Sequence, residues 1–237
     1  MKKTSVALFL IFFTFYLYPK KLKLNLATGI TVTRGNSNTV RINGKGEFQL
    51  VKGKSVLKLL GNFLYGKSRE IVDTNKGKVM IAVDKRIKGK FQFHSLASYE
   101  YDRVADIKAR INFGLGMQLK FIKTEKSEFY ISTSYVSEFE DYYEKIMAKR
   151  SNRLLIGIFF RKNFWENSIF ISRAEYIPNV ENFYEDYRLE AEGSLKVLMK
   201  KPLWLSITLN NRYNNMPPSE TLKKNDLTLI TALEILI

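Results

Sequence analysis

From Lys21 onward the apolar residues of this chain fall at every second position, the period of a β-strand. The clearest run is Ile107 to Phe121. Ile107, Ala109, Ile111, Phe113, Leu115, Met117, Leu119 and Phe121 share one face, and Lys108, Arg110, Asn112, Gly114, Gly116, Gln118 and Lys120 share the other. Fifteen residues of unbroken alternation exceed the roughly 5 to 6 of an ordinary globular strand. They suit a tilted membrane strand, which needs about 9 to 11 residues in the bilayer.

The same period recurs along the chain. One face is apolar in Leu22, Leu24, Leu26, Ile30 and Val32, then in Val40, Ile42, Phe48 and Leu50, then in Leu57, Leu59, Phe63 and Tyr65. A short Val79, Ile81, Val83 face follows, and later strands repeat the pattern to Leu227, Leu229, Leu233, Ile235 and Ile237. The count is twelve strands, an even number, as single-chain bacterial barrels require. The expected fold is all-β: an antiparallel transmembrane β-barrel spanning residues 21–237.

Turn lengths support a barrel over a soluble sandwich. One set of connections covers 34–38, 67–76, 102–106, 138–152, 178–186 and 215–226. The other covers 51–54, 85–90, 123–128, 162–167 and 199–202 and is shorter, as expected of periplasmic turns, with 34–38 and 102–106 the short exceptions in the first set. Aromatics sort in the same way. Tyr65, Tyr99, Tyr101, Tyr135, Tyr176, Tyr187 and Tyr213 lie on the apolar face toward the longer loops. Phe48, Phe91, Phe93, Phe121, Phe129 and Phe160 lie toward the shorter turns, with Trp165 and Trp204 nearby. Two girdles of amphipathic rings are a membrane-interface pattern.

Residues 1–20 read as a signal peptide. Met1-Lys2-Lys3 precedes a 14-residue apolar stretch, Ser5 to Tyr18, too short for a spanning helix. The chain has no cysteine, which excludes disulfides, thiolate metal sites and cysteine nucleophiles. Its net charge is +16, spread through every segment. In an exported barrel this points to outer-membrane lipids, lipopolysaccharide and small anions as partners, not nucleic acid.

Three stretches carry a family resemblance: LNLATGITVTRGNSNT (Leu24–Thr39), YEYDRVADIKARINFGLGMQL (Tyr99–Leu119) and NNMPPSETLKKNDLTLITALEILI (Asn214–Ile237). They resemble the salt-induced outer membrane protein family (domain of unknown function family 481). The resemblance implies an outer-membrane β-barrel inserted by the barrel-assembly machinery, with no established catalytic residue or ligand. Such barrels usually end in Phe or Trp, whereas this chain ends Ile235-Leu236-Ile237.

The polar face supplies the candidate site, a lumen lined by Lys23, Arg41, Lys45, Glu47, Lys58, Glu100, Lys108, Arg110, Lys120, Arg173, Glu175, Arg188, Glu190, Glu192, Lys196 and Arg212. The strand phases set Glu190 opposite Arg212 and Glu100 opposite Lys108. Such charges either line a small anion-preferring pore or pair and plug the lumen. His94, the single histidine, is expected to be an inward structural residue. Ser95 faces away from it, and no G-x-S-x-G is present. Glu138, Glu140, Asp141 and Glu144 form an acidic stretch, expected as a solvated loop and not a calcium site. No cofactor or metal motif appears. The expectation is a structural or weakly conducting envelope barrel without catalysis. The alternatives are an outer-membrane lipid-modifying enzyme using His94 and a soluble periplasmic β-barrel lipid carrier.

Overall fold

A strand leaves a row of amides and carbonyls on each edge, and a closed barrel is the arrangement that pairs all of them. The computed structural model describes residues 21–33, 39–144, 147–219 and 222–236. These form twelve strands: β1 (Lys21–Thr33), β2 (Thr39–Lys52), β3 (Ser55–Ser68), β4 (Ile71–Lys88), β5 (Phe91–Asp102), β6 (Ile107–Lys123), β7 (Ser127–Tyr142), β8 (Lys149–Phe164), β9 (Ser168–Pro178), β10 (Tyr187–Lys200), β11 (Leu203–Asn214) and β12 (Asn225–Leu236). Each pairs antiparallel with its chain neighbours, and β1 pairs with β12 from Asn25↔Leu236 to Thr28↔Leu233, closing the ring. The expected signal segment and the first loop, 34–38, lie outside the described residues.

One contact fixes which face points inward. β5 and β11 lie six strands apart around the ring, yet Arg212 Nη1 on β11 is 2.8 Å from Glu100 Oε1 on β5. Only side chains that project into the lumen can meet across it. The opposite face is apolar and open, with Leu115 62% and Leu229 68% exposed. A belt of this kind has no favourable neighbour in water and is the lipid-facing surface of a transmembrane barrel.

Two connections differ from the sequence reading. The expected loop 67–76 is mostly strand, because β3 runs to Ser68 and β4 begins at Ile71 and extends 18 residues. The turn is Arg69-Glu70, both at positive φ (48° and 70°). The expected loop 138–152 shrinks to 143–148, since β7 continues to Tyr142 and β8 starts at Lys149. Glu138 and Glu140 are therefore strand residues, not loop residues. β4 is accordingly no short strand. The cause is common to both: above the lipid level both faces of a strand are polar, so the ladder continues after the alternation stops.

Gly116 marks a close approach between strands. A Cβ added there would lie 2.0 Å from the Thr133 carbonyl oxygen and 2.2 Å from Ser134 Oγ. Backbone cannot yield at such a distance, so Gly116→Val is expected to block closure of β6 onto β7. Loss of the folded, faster-migrating band on unheated gels would register this. An unchanged folded band would refute the packing argument.

Candidate functional site: a charged constriction in the lumen

The inward face of the loop-side half is crossed by ion pairs. Glu138, on β7, is fully buried among three guanidinium groups. Arg153 Nε lies 2.5 Å from its Oε1, Arg110 Nε lies 3.7 Å from its Oε2, and Arg188 bonds it from β10. Glu140, two residues on and on the same face, accepts from Arg110 Nε at 2.5 Å and from Tyr142 Oη at 2.8 Å, and pairs with Arg188 at 3.2 Å. Glu100 adds the far wall, meeting Arg212 at 2.8 Å, Arg110 at 3.5 Å and Lys78 at 3.6 Å. The alternating partners offset the cost of holding each charge out of bulk water.

This network forms a constriction with open space on its loop side. There a cavity of about 290 Å³ is walled by Val104, Ala105, Ile107, Pro217, Pro218 and Leu222, with Arg110, Arg188, Glu190 and Arg212 at its inner end. Asp186 clasps the loop above. Burial alone would raise its carboxyl, but hydrogen bonds from Lys149 and Asn179 and the charge of Arg153 hold it below the ordinary carboxylate value.

The rest of the lumen is more open and also paired. Lys45 on β2 reaches Glu192 on β10 at 3.9 Å, and Arg173 lies 3.9 Å from Glu175. Gln49 donates to Glu47. Lys120 bonds Glu128 at 2.7 Å, Lys196 bonds Glu234, and Arg41 meets Asp73 at 2.9 Å. Lys23 is exposed. Glu190 faces Arg212 in the ladder, 4.0 Å away. His94 Nδ1 lies 2.5 Å from Asp84 Oδ1, and Lys58 Nζ lies 2.8 Å from Asp84 Oδ2. Asp84 thus orients the ring, as a relay carboxylate would, but no hydroxyl is hydrogen-bonded to that ring among the described residues.

Several placements differ from those inferred from sequence. Glu100 faces Arg110, not Lys108, because bulges at Glu100/Asp102 and Ile107/Ala109 shift the register. The same bulges turn Lys108 out of the lumen to pair with Asp141 at 2.9 Å, while Ile107 is buried. Tyr135 lies mid-strand, since β7 runs on to Tyr142. Trp204 faces Leu198 and Glu234 across the ladder, which sets it on the lumen side, not in the girdle. Of the other girdle rings, Tyr176, Tyr187 and Tyr213 adjoin in series at 5.7 and 6.0 Å. On the opposite rim Phe121 adjoins Phe129 at 5.5 Å, and Phe129 faces Phe160. Tyr65, Tyr99, Tyr101, Phe48, Phe91 and Phe93 keep the outward parity of their strands.

Glu138, Glu140, Arg153, Asp84 and Glu234 were missed from sequence. Extending the phase of Phe129, Ile131, Thr133 and Tyr135 by a few residues would have set Glu138 and Glu140 inward. These carboxylates largely balance the cation excess that the sequence suggested for the lumen.

Surface charge is sorted by rim. The turns beside the chain ends carry Lys52 and Lys54, Lys85, Arg86, Lys88 and Lys90, Lys123 and Lys126, Lys162, and Lys200 and Lys201, against Glu125, Glu128 and Glu166. On the loop rim, Glu70, Asp102, Asp106, Asp141, Glu144, Glu181, Glu185 and Asp226 accompany the bases.

Comparison with known structures gives porin-like barrels. A structure described as NanC porin in a rhombohedral crystal form matches with a TM-score of 0.50 at 10% identity, covering 91% of this chain and 98% of that one. The translocator domain of autotransporter NalP from Neisseria meningitidis scores 0.48 at 9% identity over 98% and 94% of the two chains. The outer membrane channel DcaP of Acinetobacter baumannii scores 0.43 at 8% identity over 91% and 95%. No curated protein matches the sequence. Residues 26–235 match the family described as "Protein of unknown function, DUF481", and the chain, a closed twelve-stranded barrel, belongs to that family.

Proposed function

We propose that the protein is a weakly conducting barrel of the bacterial outer membrane that favours small anions. Twelve strands enclose more space than an eight-stranded barrel filled by side chains and less than an open sixteen-stranded porin. The cross-lumen pairs narrow it further, which supports low conductance.

The anion preference rests on one observation. In the pairs that reach lumen water, the cation is the exposed partner: Arg173 is 40% accessible against 17% for Glu175, Lys45 39% against 22% for Glu192, and Arg212 32% against 3% for Glu100. A solute in the lumen therefore meets guanidinium and ammonium groups, with the carboxylates held against the wall. Near the chain-end rim the order reverses for Lys120 and Glu128.

The test is single-channel recording in a planar bilayer under a salt gradient. The expected result is small current steps with a reversal potential of anion sign, weakening as salt rises. Cation selectivity would overturn the preference, and silence would leave a structural barrel. Fractionation checks the location: recovery from the periplasm without detergent would favour the soluble lipid carrier.

The Asp84–His94 pair invites an enzymatic reading, and the expectation is against it. Purified protein should release no fatty acid from phospholipid, and His94→Ala should change nothing in that assay. Lipolysis that His94→Ala abolishes would establish the enzyme instead.

A further inference from the structure

At the chain-end rim a cavity of about 330 Å³ opens between the β4–β5 and β6–β7 turns, lined by Arg86, Lys90, Lys120 and Lys123 with Phe91 and Phe121. Lys120 is engaged by Glu128 at 2.7 Å. Among the described residues, Arg86, Lys90 and Lys123 have no carboxylate partner. Glu128, bonded to Lys120 and opposite Lys123 in the ladder, offsets one of the four positive charges that face this space. The remaining cations repel one another, and the repulsion is relieved when an anion enters.

The cavity also has an apolar side. Phe91 and Phe121 are half-exposed and belong to the lipid-facing surface, whereas Arg86 and Lys123 share the inward parity of their ladder partners Gln92 and Glu128, so the site straddles the barrel rim between the apolar belt and the lumen mouth. A free inorganic anion would match the charge and leave the rings unused. A molecule with a negative head and an acyl tail uses both.

We propose that this cavity binds the phosphodiester headgroup of an anionic phospholipid, with Arg86, Lys90 and Lys123 on the phosphate and the acyl chains along Phe91 and Phe121. The proposal rests on the membrane location argued above. The sorting of charge between the rims supports it, because basic side chains lie at headgroup depth on this rim in particular.

The full-length protein is refolded into phosphatidylcholine vesicles containing a trace of spin-labelled phosphatidylglycerol or spin-labelled phosphatidylcholine. The fraction of label immobilised by the protein is then compared. Wild-type protein is expected to prefer phosphatidylglycerol. The triple variant Arg86→Gln, Lys90→Gln, Lys123→Gln should lose most of that preference, since each cation near an anionic surface favours the anionic lipid. A loop-rim control of equal charge change, Lys67→Gln, Lys223→Gln, Lys224→Gln, should retain it. The single Lys90→Gln variant should shift it in the same direction by less, and the folded band on unheated gels confirms that each variant has closed.

Equal loss in both triples, or no preference in wild type, would overturn the proposal. Displacement of the labelled lipid by inorganic phosphate, at an ionic strength where chloride has no effect, would reassign the cavity to a free anion. Failure to float with vesicles at all would instead remove the membrane location.

Discussion

Replacing Glu138 by glutamine is expected to destabilise the barrel by about 3 kcal/mol, because removing one partner of a buried ion pair strands the other charges. Three guanidinium groups, those of Arg110, Arg153 and Arg188, converge on this fully buried carboxylate. An amide can still accept a hydrogen bond from Arg153 but cannot balance three positive charges. Arg188 and Arg110 retain Glu140, which keeps the estimate at the low end of the range for buried pairs. Urea unfolding in detergent, followed by the loss of the folded gel band, measures the change. Glu192→Gln is the reference, since its Lys45 partner is 3.9 Å away and solvent-exposed, and such pairs are worth about 1 kcal/mol or less. If Glu138→Gln and Glu192→Gln have equal effects, the network is not what holds the loop-side half together.

Removing the arginine that spans the lumen should change conduction more than any wall substitution. Arg212 reaches Glu100 on the opposite wall at 2.8 Å and is itself partly accessible. In Arg212→Ala, Glu100 keeps Arg110 at 3.5 Å and Lys78 at 3.6 Å; Glu190 loses its 4.0 Å partner but is only partly buried, so the fold should hold. The expected outcome is a severalfold rise in single-channel conductance together with weaker anion preference, since a cation facing the lumen water is lost. Arg41→Ala removes an equal charge from a pair with Asp73 that spans no lumen, and it should leave conductance near the wild-type value. Equal conductance in wild type and Arg212→Ala would sink the idea that this pair forms the constriction.

The barrel was legible because its signal is local. A strand with lipid on one side and polar lumen on the other must alternate, so Ile107 to Phe121 announces its own two faces without reference to a neighbour. Strand number followed from counting such runs, and most lumen residues followed from parity alone. The reading failed where both faces become polar, as in Lys67 to Lys76 and beyond Glu138, because hydropathy stops changing while the hydrogen-bond ladder continues. It failed again at Lys108, where a bulge inserts one residue and reverses parity, an event that leaves no mark in the order of apolar residues.

What the sequence determined by itself was therefore the period, the strand count, the lipid-facing surface and the absence of any thiol chemistry, all properties of single strands or of composition. What only the tertiary structure decided was partnership across distance. Arg212 and Glu100 are 112 positions apart and meet because closure sets β5 opposite β11. Glu138 changes from a loop acid to the hub of a buried network because β7 runs on to Tyr142. Charge that looks evenly spread along the chain becomes sorted between two rims, because antiparallel strands return every second turn to the same end of the barrel, and Arg86, Lys90 and Lys123 are gathered there from different turns.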